Sequence, residues 1–459
     1  MYLPGLGSVE IKGEEIRRIM PGVAMLQTGD WVVPRFNGEP YLRKPPLVNW
    51  AIALSIKTLH TRNEWSARLP SVLAVLALAL TIITVCGPWL GTNAALAAVI
   101  ILLTSPGLID KGRLAEIEAI YFSLFGMALS CWLGWTATGR SRWLVWPVTG
   151  LLLGLGLLAK GPAHLAFFYS IVAFAAWNGW RKKEPGETVK TGLISGAHLA
   201  GILIMLAVFA LWWIPYSRDP LTTGASGVMA RQIEQRMGGG NRLTVFANFW
   251  HSIENFLPWI LGLPLFWRRA MLSRLETRDR SLVEAVRWPI VIGAFGLMFV
   301  PGMLPRYSLP LLVPYALFLA LLLKAELKDA VLKWLLAAGC LAGAGMLIYG
   351  FLIAPRITGN ARAFAAQVNA MMPPGDSIYI FDPSVQPVVF YIRGRLIFTD
   401  TVKELPQDVP WMLAPETALK LLRGRFRDTQ VFAEFREDSG RRFSLLALHG
   451  RNAGVNRAK

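Results

Sequence analysis

A mostly helical, polytopic transmembrane architecture ending in a small soluble α/β domain is the fold class predicted by this 459-residue sequence, and three observations predict it. Hydrophobic residues make up 54% of the chain against 17% charged, with a mean hydropathy of +0.43, which is far too apolar for a soluble domain of this length. Roughly ten apolar runs approach the ~20 residues needed to cross a bilayer. They lie near 70–90, 93–109, 115–137, 143–160, 163–180, 192–215, 249–267, 288–304, 309–323 and 331–354. After the last run the pattern shifts to short alternating segments over 355–459, about the size of a small domain.

Residues 1–66 precede the first run and read as an outward loop carrying helices. Ile16, Ile19, Met20 and Val23 fall at helical spacing between Glu14 and Gln27, and Val48, Ile52 and Ile56 repeat the pattern from Leu47 to Leu59. Both segments are too amphipathic to span and are expected at the membrane surface, where Trp31, Trp50 and Trp65 suit the interface. Pro45-Pro46 stops any helix ahead of the second segment and fixes the exit direction of Lys44. The opening Met1-Tyr2-Leu3-Pro4-Gly5 reads as the tail of a helix followed by a break, so a further transmembrane helix is expected ahead of Met1.

The transmembrane region is predicted over 67–354, interrupted by an outward loop at 216–248 that contains Gly238-Gly239-Gly240. That loop is either a mobile lid over a site or a plain linker. In the C-terminal domain, 356–370 reads as a helix and Ser377–Phe381 as a strand. Val385–Arg393 and Glu416–Arg423 read as short helices, and Arg395–Phe398, 429–435 and 442–448 as strands. No internal repeat stands out, which weighs against an inverted-repeat transporter.

A net charge of +18 raises the question of nucleic acid, and the placement of the basic residues answers it. They cluster in alternate short loops: Arg140 and Arg142; then Arg181, Lys182, Lys183 and Lys190; then Arg268 to Arg287; then Lys324, Lys328 and Lys333. Those loops are cytoplasmic by the positive-inside rule, and the charge is a topology signal, with no nucleic-acid partner expected. The opposite set, together with residues 1–66 and the C-terminal domain, faces outward. Cys86, Cys131 and Cys340 lie inside apolar runs and the five histidines are scattered, with no metal-ligand spacing. Phosphate-binding glycine loops and the Gly-Xaa-Ser-Xaa-Gly motif are absent.

Chemistry is left to carboxylates and cations on the outward side. Glu14 and Glu15 open an amphipathic segment, and successive helical residues point about 100° apart. One can therefore serve as a base while the other holds the loop; the plain alternative is an ordinary acidic helix start. Glu116 and Glu118 stand at the mouth of a span, where carboxylates need a cavity or a partner, and Arg113 supplies the plain alternative of a structural ion pair. Lys160, in a tight outward turn before Gly161-Pro162, and Arg306 with Tyr307 resist the positive-inside tendency. Lys44, Arg113, Lys160 and Arg306 together suggest a lipid phosphate as their ligand, with snorkelling to headgroups as the alternative for each.

Taken in order, these residues resemble the bacterial branch of the GT-C glycosyltransferases, the aminoarabinose transferase and protein O-mannosyltransferase superfamily. The motifs are Glu14-Glu15, Leu26 to Pro34, Asn37-Gly38-Glu39-Pro40-Tyr41, Lys44-Pro45-Pro46, Glu64 to Pro70, Gly112-Arg113-Leu114-Ala115 with Glu118, Lys160-Gly161-Pro162 and Arg306-Tyr307-Ser308-Leu309-Pro310. The resemblance covers most of 8–320. It implies sugar transfer from a polyprenyl-phosphate donor, undecaprenyl phosphate above all, to an acceptor at the periplasmic face of the bacterial inner membrane. Lipid A, another envelope glycan or a protein are the acceptors it allows. It places the base at Glu14 with Glu15 second, the later acidic residue at Glu118, and the donor phosphate at Lys44; both acidic positions are usually aspartate in such families. No obligatory metal is expected, because protein cations can stabilise a lipid monophosphate leaving group. The competing readings are a flippase for the same lipid and an inactive partner in an envelope glycan complex.

Overall fold

A computed structural model describes the chain apart from residues 183–190, 223–243, 301–302, 325–326, 328, 357–359, 374, 382–386, 400, 403–404, 407–408, 427–428, 437–441 and 449–459. The bulk of the predicted loop 216–248, including its three glycines, lies outside the described residues. The chain forms two compact units. One comprises Met1–Leu3, Leu42–Val48 and Leu69–Met346, the other Pro4–Tyr41, Asn49–Arg68 and Leu347–Lys459.

Among the described residues, six helices are long and apolar enough to cross a membrane: Glu64–Leu90, Ile117–Ala137, Arg142–Lys160, Gly196–Arg218, Thr277–Met298 and Val331–Ile353. Several predicted spans differ from this. The run at 93–109 divides into Thr92–Leu103 and Pro106–Lys111, because Pro106 has no N–H to continue the first helix. The run at 249–267 is not one helix: Thr244–Ile253 gives way to 3-10 turns at Glu254–Phe256 and Trp259–Trp267, a stretch punctuated by Pro258 and Pro264. Leu309–Leu323 has 15 residues, about 22 Å of helix against a hydrocarbon core of ~30 Å. Arg278, Arg280 and Arg287, expected in a loop, stand on the helix Thr277–Met298.

In the first unit Ile117–Ala137 is the central element, with 94% of its apolar window buried. Arg142–Lys160 packs between it and Gly196–Arg218. Small residues allow the second approach: a Cβ on Gly154 would sit 2.9 Å from the Met205 carbonyl oxygen, and one on Gly201 would sit 2.5 Å from that of Trp146. Leu309–Leu322 is buried throughout, whereas Leu199, Leu203, Leu206 and Leu211 on Gly196–Arg218 stay exposed, as lipid contact requires.

In the second unit the first predicted amphipathic segment is the helix Gly13–Thr28, ended by Gly29 at φ +75° in the left-handed region. A two-stranded hairpin follows, β1 (Arg35–Phe36) with β2 (Glu39–Pro40). Asn37 and Gly38, at φ +54° and +83°, supply the two positive-φ positions that such a tight turn demands. The C-terminal sheet contains β3 (Ser377–Phe381), β4 (Arg395–Thr399), β5 (Met412–Pro415), β6 (Thr429–Arg436) and β7 (Arg442–Leu448), in the order β4-β3-β5-β7-β6. β3 pairs in parallel with β4 and β5, and β7 is antiparallel to β5 and β6. Phe381, Leu405, Met412, Leu422, Phe426 and Leu446 form its apolar core. The helix Ala361–Met371 precedes β3.

Candidate functional site

Helix ends converge in the first unit. Glu118 stands in the first turn of Ile117–Ala137, where helix N-terminal donors favour an anion. Lys160 is the last residue of Arg142–Lys160, where a cation is favoured, and Gly161, at φ +104°, turns the chain away. Ala163 then begins the next helix, and Arg306 and Tyr307 sit in the 3-10 turn just ahead of Leu309–Leu323.

A cavity of about 480 Å³ opens there. Arg43, Lys44, Lys160 and Arg306 line it together with Tyr121 and Tyr307, and Phe167, Leu297, Pro162 and Pro310 supply apolar wall. Glu118, only 6% exposed, ties two of the cations together. Its Oε1 accepts from Lys160 Nζ at 3.1 Å and lies 3.2 Å from Arg306 Nε. The Lys160 ammonium also stands 5.2 Å from the Tyr121 ring centroid and 5.4 Å from that of Tyr307, within cation–π reach. Like charges this close repel one another, so the arrangement stores an affinity for an anion that a flexible surface lysine lacks.

Other predicted residues in this unit lie elsewhere. Glu116 is bound to Lys111, whose Nζ is 3.2 Å from it and 3.2 Å from Asp110. Burial pushes the Glu116 carboxyl above its ordinary range, against the pull of Lys111. Arg113 is buried and does not line the cavity; it stands close enough to Tyr2 to oppose the upward push that burial exerts on that hydroxyl. Conversely, Arg43 and Tyr121, neither given a role from the sequence, join the cavity. The signals were present: Arg43 adjoins Lys44, and Tyr121 is three residues past Glu118, hence on the same helix face.

In the second unit the two adjacent carboxylates take opposite fates. Glu15 is 1% exposed, and its oxygens accept from Arg68 Nε at 2.7 Å and Arg68 NH2 at 2.8 Å, a bidentate fork. Glu14 is turned outward, 42% exposed, with Arg17 at 2.9 Å and Arg18 at 3.9 Å. Among the described residues, no three His, Cys, Asp or Glu side chains gather as a metal-holding group.

Residues 43–213 match the family model described as dolichyl-phosphate-mannose-protein mannosyltransferase. An undecaprenyl phosphate-alpha-4-amino-4-deoxy-L-arabinose arabinosyl transferase of Pseudomonas aeruginosa (strain LESB58) is 28% identical over 368 residues, 74% of this chain and 59% of the relative. A counterpart from Pseudomonas fluorescens (strain Pf0-1) is 25% identical over 326 residues, 68% of this chain and 52% of the relative. The chain thus spans a little over half the length of the curated relatives it matches. The crystal structure of ArnT from Cupriavidus metallidurans bound to undecaprenyl phosphate superposes with a TM-score of 0.70 at 18% identity, covering 97% of this chain and 96% of that one. Its apo state gives a TM-score of 0.68 with 96% and 95% covered. Sequence and fold agree: residues 43–213 are similar to the mannosyltransferase family model, and the chain shares the mostly helical membrane fold of the solved ArnT structures.

Proposed function

We propose that this protein is a multi-pass glycosyltransferase that moves a sugar from a polyprenyl-phosphate donor to an acceptor at the periplasmic face of the bacterial inner membrane. The donor lipid is undecaprenyl phosphate, the lipid named for the relatives and bound in the solved ArnT structure. Lipid A or another envelope glycan is the acceptor. The observation that carries this reading is the cavity in which Lys44, Lys160 and Arg306 meet beside apolar wall at the ends of membrane helices. Such a site suits a phosphate whose tail stays in lipid.

In this reading the acceptor oxygen bonds to the anomeric carbon as that carbon's bond to the phosphate oxygen breaks. The electron pair leaves on the lipid phosphate, where Lys44, Lys160, Arg306 and Arg43 stabilise the growing charge. Tyr307 shapes the same wall, and Glu118 holds Lys160 and Arg306 at their spacing. The acceptor proton passes to Glu14, the accessible member of its pair, while Glu15 braces the helix through Arg68. No obligatory metal enters this scheme.

Reconstitution in nanodiscs with an undecaprenyl-phosphate-linked sugar and lipid A tests it. Glu14→Gln should still bind donor yet lose about 100-fold or more in product formation. Unaltered product formation, or lipid movement with no product from the wild-type protein, would overturn the reading. Mass spectrometry of envelope lipids and glycans from a deletion strain identifies the sugar and the acceptor.

A further inference from the structure

Polar groups in the second unit, gathered on the buried carboxylates Glu10 and Glu64, bind three stretches of chain that are far apart in sequence. The Glu10 carboxylate accepts from the backbone N–H groups of Ala361 at 3.2 Å and Arg362 at 2.9 Å, so it caps the N-terminus of the helix Ala361–Met371. Glu64 accepts from Arg362 Nε at 2.6 Å and from the Tyr391 hydroxyl at 2.5 Å. The same hydroxyl accepts from the backbone N–H of Ile11 at 2.9 Å. Arg62 donates to the Ile392 carbonyl, and Arg362 NH2 donates to that of Gly7 at 2.6 Å. Arg68, one helical turn beyond Glu64, donates to the carbonyls of Leu6 and Val9 as well as to Glu15.

From this network we infer that the C-terminal domain is a positioning clamp on the first loop: Tyr391 and Arg362, acting through Glu64, Glu10 and Ile11, set the start of the helix Gly13–Thr28 and thereby the direction of Glu14. Two adjacent carboxylates on a short helix cannot choose by themselves which one faces inward. Arg68 makes the choice by taking Glu15, and the residues leading into that helix are pinned on their other side by the C-terminal domain. Removing one donor leaves a buried carboxylate short of a partner, which is costly, so small changes in the C-terminal domain loosen the loop. The clamp assigns the domain to orienting the base, a task separate from acceptor recognition. It rests on the glycosyltransferase reading only for the identity of the step it serves.

Full-length Tyr391→Phe in nanodiscs tests it, because the substitution deletes one hydroxyl and keeps the ring. Amide hydrogen exchange at Ile11 and over the first two turns of Gly13–Thr28 should accelerate about tenfold, with undecaprenyl phosphate binding unchanged. A double-mutant cycle gives the readout that general damage would not. Tyr391→Phe should cut turnover about tenfold in the wild-type background and less than twofold in the Glu14→Gln background. Equal losses in both backgrounds would overturn the clamp. So would unchanged exchange, and that arm decides even if the wild-type protein transfers no sugar at all.

Discussion

The Lys160 ammonium lies 3.1 Å from Glu118 Oε1, and that same oxygen is 3.2 Å from Arg306 Nε, so one buried carboxylate carries the counter-charge for two cations, one at the end of Arg142–Lys160 and one in the turn ahead of Leu309–Leu323. A bound phosphate would bring a second negative charge to the same cations. Glu118→Gln should therefore destabilise the unliganded protein by about 3 kcal/mol, the scale of a buried pair broken from one side. Adding undecaprenyl phosphate should raise the melting temperature of the variant more than that of the wild type. Thermal unfolding in nanodiscs with and without the lipid is the measurement; equal shifts in both proteins would refute the counter-charge role.

Lys160→Met keeps the aliphatic stem against Tyr121 and Tyr307 while removing the charge. A charge-assisted hydrogen bond contributes about 1.5–3 kcal/mol, so affinity for undecaprenyl phosphate should weaken about tenfold or more. Lys57→Met, on the exposed face of Leu47–Leu59, should leave affinity unchanged. Titration of the lipid against both variants checks the pair.

Gly154 lets Arg142–Lys160 approach Gly196–Arg218. A methyl there would meet the Met205 carbonyl at 2.9 Å and the Val208 side chain at 3.0 Å. Gly154→Ala should cost about 1–3 kcal/mol by overpacking. Gly296→Ala, where a Cβ meets nothing within 4 Å, should be neutral or mildly stabilising, and comparing the two melting temperatures decides it.

Burial first, and then its hydrogen bond to Glu64, hold the Tyr391 hydroxyl above the ordinary tyrosine range. The folded chain keeps that proton more tightly than the unfolded chain does. Its stabilising effect is therefore whole below about pH 10 and is lost as pH rises beyond it. Tyr391→Phe should lower stability by about 1–2 kcal/mol at pH 8 and flatten the decline above pH 10. Denaturant titrations of the full chain across that range would show an undiminished slope if the hydroxyl were irrelevant.

Periodicity and turn chemistry made much of the architecture readable beforehand. Leu47–Leu59 emerges with the bounds its apolar spacing and Pro45-Pro46 require, and Gly13–Thr28 with Gly29 at its end, because those signals act within a few residues. The strands Ser377–Phe381, Thr429–Arg436 and Arg442–Leu448 were visible for the same reason. β5, Met412–Pro415, carries no such signal: four residues are too few for an alternating pattern, and their strand state comes from pairing with β3 and β7. The run at 249–267 has the apolar composition of a span, but its backbone is interrupted at Pro258 and Pro264, so it does not form one helix.

The sequence by itself determined the membrane class, the local helices and strands, and the inventory of carboxylates and cations available for chemistry. Only the tertiary structure decided that Glu15 is locked onto Arg68 while Glu14 remains accessible, that Glu118 rather than Glu116 joins Lys160 and Arg306, and that Arg43 and Tyr121 belong to the cavity. Local conformation follows from forces between near neighbours along the chain. Which charges meet depends on where helix ends from distant stretches arrive, and packing alone sets that.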